Sequence, residues 1–359
     1  MDSSRRSNVL VCPAYQEFPR NHWYVVAFSH EVKRELLARR VLGEMLVLYR
    51  TENGEPVAVA DRCPHRGMPL SKGKLVGDAV QCGYHGFQFG KSGACVGIPS
   101  QDAIPSKMAV HAYPLVEKWQ WIWAWMGDPA KADPALIPDH HALGLGREGY
   151  TASTVFCMEI KANYQLLHEN LLDTSHITYL HPQQLDASAD AANAGEATFQ
   201  AEYEDGLIRI WRAMPGTRPN PAMARLYRLP QGEPVDRVLM TETYPPNLSV
   251  VSNIFREPGR SDGPPKVHVI ASMPVTPASP RLTYQFLAVA TSYPESRTPQ
   301  QNEHVWNVFA QDRDALEAIQ LGFDELGPDA PEFSVKADQA ALRCRQMITD
   351  LVQRERIMA

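Results

Sequence analysis

Over the first third of the chain, apolar residues gather in short runs of three to seven. Residues 23–28, 44–49, 56–60, 79–81 and 119–125 are strand-like runs of this kind. Turn chemistry separates the runs, as at Asn53-Gly54 and Ser92-Gly93. The most apolar run, 119–126, stops at Gly127-Asp128-Pro129 and reads as a strand ending in a turn. Residues 127–138, rich in Pro, Ala and Asp, read as a linker. A strand is then predicted over 150–159 and a helix from Asn163 to about Leu180, stopped by Pro182. Residues 183–200 are rich in Ala, Asp and Asn and read as a loop. Strand patterns return at 206–212, 238–244, 248–255, 266–273 and 282–290, and helical ones at 299–322 and 334–356. The pattern predicts an α+β chain: a small all-β domain over residues 1–130, then an α+β domain over 131–359 with an antiparallel sheet.

Composition narrows the class. A chain of 359 residues can bury two cores, and 44% hydrophobic with 21% charged residues is ordinary for a globular protein. The net charge of −6 argues against nucleic acid as the main partner. The N-terminus offers only a short apolar stretch around Val9–Val11, cut by Pro13, so a signal peptide is not expected. No window approaches the roughly 18 apolar residues of a membrane span. The six cysteines are Cys12, Cys63, Cys82, Cys95, Cys157 and Cys344. In a chain of this size without a secretion signal they read as reduced thiols of a cytoplasmic protein, with Cys95 and Cys157 as small buried hydrophobes.

Two of these cysteines have a stronger use. Cys63-Pro64-His65-Arg66-Gly67 is followed by Cys82-Gly83-Tyr84-His85-Gly86, so each segment offers one thiolate and one imidazole. Such ligands suit zinc or an iron–sulfur cluster. Structural zinc sites usually group Cys with Cys and His with His along the chain. One of each per loop is the ligand set of a Rieske [2Fe–2S] cluster, in which two histidines on one iron raise its potential. The glycines let the backbone close over a compact cofactor. A zinc ribbon is the alternative. Respiratory Rieske proteins carry a further Cys in each loop; Met68 and Tyr84 stand at those places here.

A second constellation lies in the predicted helix, Asn170-Leu171-Leu172-Asp173-Thr174-Ser175-His176-Ile177-Thr178-Tyr179-Leu180-His181-Pro182. Asp173 and His176, three apart, share a face of a continuous helix. His176 and His181 stand about 140° apart on an ideal helix and converge only if it ends or distorts between them. Two histidines and a carboxylate make the facial triad of oxygen-activating non-haem iron. Alone, two such histidines are more often solvated or hydrogen-bonded; their weight comes from the Rieske pair in the same chain.

Together these motifs resemble the oxygenase (alpha) subunit of Rieske non-haem iron oxygenases. Asn21 to Val26, Ile122 to Pro129, Pro234 to Arg237 and Asp312 to Gln320 are similar to the vanillate O-demethylase oxygenase subgroup. The resemblance covers nearly the whole chain. It implies a Rieske domain followed by a helix-grip (START-like) catalytic domain, with the cluster on Cys63, His65, Cys82 and His85. Mononuclear Fe(II) would sit on His176, His181 and a carboxylate of the long C-terminal helix. The family pattern Glu-Asp-x₄-Glu points to Asp312, with Gln311 in place of the first Glu; Asp314 is the runner-up, and Asp314 and Glu317 otherwise read as a solvated helix face. The resemblance also implies a head-to-tail homotrimer. Asp173 would bridge His85 of one chain and His176 of the next, and Asn170 would sit beside the iron.

The expected activity is that of a terminal oxygenase using O₂ and two electrons, drawn ultimately from NAD(P)H through a separate reductase or ferredoxin. No flavin- or nicotinamide-binding fingerprint appears in the chain. The substrate expected is a small methoxylated aromatic acid, demethylated with release of formaldehyde. A ring-hydroxylating dioxygenase is one alternative, and a non-enzymatic electron carrier with an empty second site is another. A cation for the acid group would come from Arg209, Arg212, Arg225, Arg228 or Arg237, among which the sequence does not choose. His140 and His141 read as loop residues, and His168, His268 and His304 as satisfied or exposed.

Overall fold

The computed structural model describes residues 16–139, 143–182, 198–260, 263–295, 297–327 and 331–358. Cys12, His140, His141 and most of the expected 183–200 loop lie outside the described residues. Contacts divide the chain into two units, one of residues 20–137 with 276–279, the other of the remainder.

The first unit is built from antiparallel strands: β1 (Trp23–Phe28), β2 (Leu37–Val41), β3 (Glu44–Arg50), β4 (Pro56–Ala60), β5 (Lys74–Val76), β6 (Ala79–Gln81), β7 (Gln88–Phe89), β8 (Cys95–Gly97), β9 (Leu115–Lys118) and β10 (Trp121–Trp125). They form sheets ordered β1-β10-β9, β2-β3-β4 and β5-β6-β7-β8. The expected strand over 119–125 begins two residues late. Trp119 and Gln120 have φ of 56° and 70° and make the tight hairpin turn between β9 and β10. The β10 residues are buried on both faces, which is why their run lacks clean alternation.

The main segment of the first unit runs to Ile137. The segment read as a linker is fastened to this unit. Asn21 Oδ1 accepts from Asp128 N–H at 3.0 Å, and the indoles of Trp125 and Trp23 donate to the carbonyls of Asp128 and Asp133, each at 2.8 Å. Asp128 and Asp133 also cap short 3-10 turns through Ala130 and Ala135 N–H, so Pro, Ala and Asp serve here as capping chemistry.

The second unit contains β11 (Thr151–Ile160), α1 (Tyr164–Leu172), α2 (Ile177–Leu180), β12 (Thr198–Glu204), β13 (Leu207–Thr217), α3 (Pro221–Tyr227), β14 (Val235–Tyr244), β15 (Leu248–Arg256), β16 (Val267–Ser279), β17 (Leu282–Thr291), α4 (Pro299–Leu326) and α5 (Gln339–Met358). One antiparallel sheet, ordered β11-β17-β16-β15-β14-β13-β12, carries the unit. The last residues of β16, 276–279, group with the first unit.

Helix α4 starts at a capping box, with Thr298 and Gln301 satisfying each other's backbone and Pro299 at the first position. Its buried stripe is Val308, Asp312, Leu316 and Gln320, four residues apart each time. A carboxylate on the buried stripe of a 28-residue helix needs compensation, and the site supplies it.

Candidate functional site

The two cysteine loops of the first unit are built alike. Cys63 N–H donates to the Met68 carbonyl and Gly67 N–H to the Cys63 carbonyl, at 2.8 and 2.9 Å. Cys82 N–H donates to the Phe87 carbonyl and Gly86 N–H to the Cys82 carbonyl, at 2.8 and 3.1 Å. Gly67 and Gly86 have φ of 76° and 75°, a turn that a side chain would strain. The sequence offsets differ, with His two residues after Cys63 but three after Cys82. The Nδ1 atoms of His65 and His85 nevertheless meet at 3.2 Å.

Cys63 and Cys82 are buried and free of disulfides. Burial pushes the Cys63 thiol up, and Cys82 adds to this, while the backbone N–H groups of His65 and Arg66 pull the other way. Two thiols, two imidazole nitrogens and backbone donors around the sulfur fit a cluster with thiolate and imidazole ligands.

In the second unit the predicted long helix breaks. Asn163 caps α1, which ends at Leu172, and Asp173 is extended with φ −111° and ψ 104°. Asp173 and His176 therefore do not share a helix face, which corrects the expectation from spacing. The break resolves the 140° problem, because α2 starts a new turn between His176 and His181. His176, His181 and Asp312 each offer a ligand atom, all within 4.8 Å of one another.

Hydrogen bonds fix the tautomers. His181 Nδ1–H donates to Gln311 Oε1 at 2.8 Å, and His176 Nδ1–H donates to the Asp173 carbonyl. Both Nε2 lone pairs then face Asp312 Oδ1, at 3.1 Å from His181 and 3.5 Å from His176. A proton on Nε2 or a metal ion among these atoms makes this spacing favourable. Burial lowers the His181 imidazolium, yet Asp312 and Gln311 outweigh it, so its pKa is raised and positive charge is favoured there. Asn170 Nδ2 donates to Asp312 Oδ1 at 3.1 Å, while its own Oδ1 is buried without a hydrogen bond among the described residues. The donor set and this orphaned oxygen fit Fe(II).

The other acids of α4 have different partners. Asp314 is exposed and paired with Arg313 at 2.7 Å, and Glu317 accepts from Lys161 N–H at 2.9 Å. The Asp173 carboxylate accepts from Ser175 N–H at 2.7 Å, so it is the Asp173 carbonyl, not the carboxylate, that meets His176 within the chain. His168, one turn before Leu172, is buried and neutral. Its Nε2–H donates to the Pro246 carbonyl at 2.9 Å, its Nδ1 accepts from Ser249 Oγ at 3.1 Å, and burial lowers its pKa to about 4.

A cavity of about 140 Å³ opens from His176, His181 and Asp312. Its floor is the β14–β17 face bearing Leu239, Val251 and Met273; its roof is the α4 face bearing Val305, Val308 and Phe309. A cavity of about this size holds a benzene ring. Arg237 lines it, 2% exposed, with Nε and Nη2 donating to Asn253 Oδ1 at 3.2 and 2.9 Å. The other candidate arginines do not line it. Arg209 pairs with Glu242 and Glu202, Arg228 pairs with Glu295, Arg225 is exposed, and Arg212 lies half-buried on β13. Sequence reasoning missed Arg297 and His304 in the lining. No motif marks them; only the fold of α4 over the sheet brings them there.

An all-β domain with paired cysteine–histidine loops and a helix-gripped sheet bearing a two-His, one-carboxylate cluster define the oxygenase subunit of a Rieske non-haem iron oxygenase. Residues 22–114 match the Rieske [2Fe-2S] domain, and residues 160–354 match the vanillate O-demethylase oxygenase C-terminal domain. The chain belongs to this vanillate O-demethylase-like family of Rieske oxygenase subunits. It is 31% identical to the oxygenase component of chloroacetanilide N-alkylformylase from Rhizorhabdus wittichii, over 94% of this chain and 97% of that one. It is 28% identical to the vanillate O-demethylase oxygenase subunit of a Pseudomonas species, over 94% and 96%. Crystalline dicamba monooxygenase bound to 3,6-dichlorosalicylic acid superposes with a TM-score of 0.85 at 29% identity, covering 95% of this chain and 99% of that one. The cofactors of the class are the Rieske cluster and a non-haem iron. No helix among the described residues is long and apolar enough to cross a membrane.

Gln311 is neutral where the family pattern has an acid, and it holds the Nδ1 side of the His181 ring. Gln311→Leu is expected to weaken iron binding by about 10–100-fold, the usual effect of losing a ligand's supporting hydrogen bond. Iron titration of the purified variant measures this.

Proposed function

We propose that this chain is the terminal oxygenase of a multicomponent system that O-demethylates a vanillate-like aromatic acid. One observation carries the reading: a two-histidine, one-carboxylate cluster opens on an apolar cavity of single-ring size that contains the buried Arg237 guanidinium. Cys63, His65, Cys82 and His85 hold the cluster, and His176, His181 and Asp312 hold the iron. When bound, these groups deliver two electrons and activate O₂. In the overall reaction one C–H of the methoxy carbon becomes C–OH, the other oxygen atom leaves as water, and two protons and two electrons are consumed. The resulting hemiacetal collapses to a phenol and formaldehyde.

The chain's own groups do the positioning. Arg237 binds the substrate carboxylate, with Asn253 fixing its fork from behind. Leu239, Val251, Met273 and Phe309 enclose the ring and exclude water. Asn170 holds Asp312 in place through its amide N–H, and the Asp173 carbonyl and Gln311 orient the two imidazoles. In a homotrimer in the cytoplasm, the Asp173 carboxylate meets His85 of the adjoining chain and links the cluster of one chain to the iron of the next. A separate reductase or ferredoxin supplies electrons.

The test is a purified oxygenase with a surrogate reductase, NADH and vanillate. One formaldehyde and one catechol product per NADH and O₂ are expected, with about three iron atoms per chain. A cis-dihydrodiol product would make the protein a ring dioxygenase. About two iron atoms and no O₂ consumption would make it an electron carrier.

A further inference from the structure

A surface depression of about 360 Å³ adjoins the cavity at the start of α4. Arg225 and Arg228 line it from α3 and its C-cap, and Thr298 and Gln301 from the first turn of α4. Leu226 and His304 line both the depression and the cavity, so they form the wall between the two. This wall stands at the opposite end of the cavity from the metal-binding groups. His304 precedes Asp312 by eight residues, which is about 12 Å along a helix axis.

The wall is thin and local. Gln301 Nε2 donates to the carbonyls of Leu226 and Arg225, at 3.1 and 3.4 Å, and this stitch ties α3 to α4. Behind it lies Arg297, facing the cavity. Its Nε donates to Asn302 Oδ1 at 3.0 Å and its Nη2 to the Gln301 carbonyl at 2.9 Å, which folds the guanidinium back over the first turn. Both acceptors are neutral. Burial is the main influence on this group and lowers its pKa, as expected for a desolvated cation. The depression has no carboxylate among its described lining residues, although Glu295 pairs with Arg228 nearby. Guanidinium groups therefore mark the whole path, from Arg225 and Arg228 outside, through Arg297 at the wall, to Arg237 inside.

We propose that aromatic carboxylates enter the iron cavity between α3 and the first turn of α4, with Leu226 and His304 as the movable wall and Arg297 drawing the acid group inward. Side-chain rotamers change far faster than enzymes turn over, so two side chains suffice to open the path. A charged, low-dielectric cleft raises association rates for the opposite charge by about 10–1,000-fold. The proposal deepens the reading of the cavity as the site of an aromatic acid and rests on it for the substrate's identity. The route is testable without turnover.

A cysteine placed inside the cavity reports who can enter. In the metal-loaded Val305→Cys enzyme, the anionic reagent 2-sulfonatoethyl methanethiosulfonate is expected to label residue 305 at least tenfold faster than the cationic trimethylammonium reagent, read by peptide mass spectrometry. Adding Leu226→Trp should slow both reagents at least tenfold. Adding Arg297→Gln should remove at least threefold of the anion preference. Labelling that shows no charge preference, or that ignores Leu226→Trp, overturns the route. Val308→Cys serves as a second reporter position, with the same expected and contrary results. Vanillate turnover by the wild-type enzyme is measured separately, so failure of the route and failure of the substrate reading are told apart.

Discussion

Asp312→Ala is expected to lower turnover by at least about a thousandfold, or some 4 kcal/mol of transition-state stabilisation, while leaving the Rieske chromophore intact. The carboxylate is the one anionic group of the three-residue cluster and lies on the buried stripe of α4. Without it two neutral imidazoles remain, and a hard divalent iron loses the oxygen ligand it favours. Loss of a supporting hydrogen bond alone costs about 10–100-fold, so loss of a ligand should exceed that. Iron analysis should fall from about three atoms per chain to about two, with the visible spectrum of the cluster unchanged. A variant that keeps its third iron and a tenth of its activity would place the carboxylate ligand elsewhere.

The next largest effect is expected at Asp173. Alanine there keeps the backbone carbonyl that orients His176, so the iron should stay bound. What disappears is the carboxylate, which within the chain accepts only from Ser175 N–H among the hydrogen bonds described. In the proposed trimer, electron transfer from the cluster to the iron of the adjoining chain should slow by about a hundredfold, the upper range for such supporting groups. The measurement is reoxidation of the chemically reduced cluster, followed by stopped-flow absorbance with vanillate and O₂ present. Reoxidation at the wild-type rate would remove Asp173 from the electron path.

Much of the site is legible in the sequence where ligands are close along the chain. Cys63 with His65 and Cys82 with His85 are each a local loop, and spacing alone marks them. His176 and His181 are also local, but their convergence depends on a helix break that spacing could state only as a condition. The break comes from Asp173, whose side chain satisfies Ser175 N–H as short polar residues do at helix ends. Asp312 is different. Its buried position on α4 depends on which stripe of that helix packs, and only resemblance singled it out from Asp314.

Other features were hidden for physical reasons. Strand β12 begins inside a segment whose Ala and Asp content reads as loop; its partner β13 makes it a strand. Helix α3 is seven residues long and is set by Asn220 and Pro221 at its start, too short for a periodic signal. The choice of Arg237 among five arginines needed burial, because charge pairing of Arg209 and Arg228 is a property of the fold. His304, half-buried, also lines the cavity, a place that no local pattern marks.

The proposed iron ligands also bear on how the chain is held together. Asp312 follows His181 by 131 residues, and nearly all of the large sheet lies between them. An ion shared by these side chains is a cross-link closing a loop of that length. By the chain-entropy estimate for cross-links, such a closure removes about 5 kcal/mol of freedom from the unfolded chain. An iron held by the proposed ligands would thus also be a clasp between the first and last parts of the domain. Its loading should set the domain's resistance to unfolding as well as its activity.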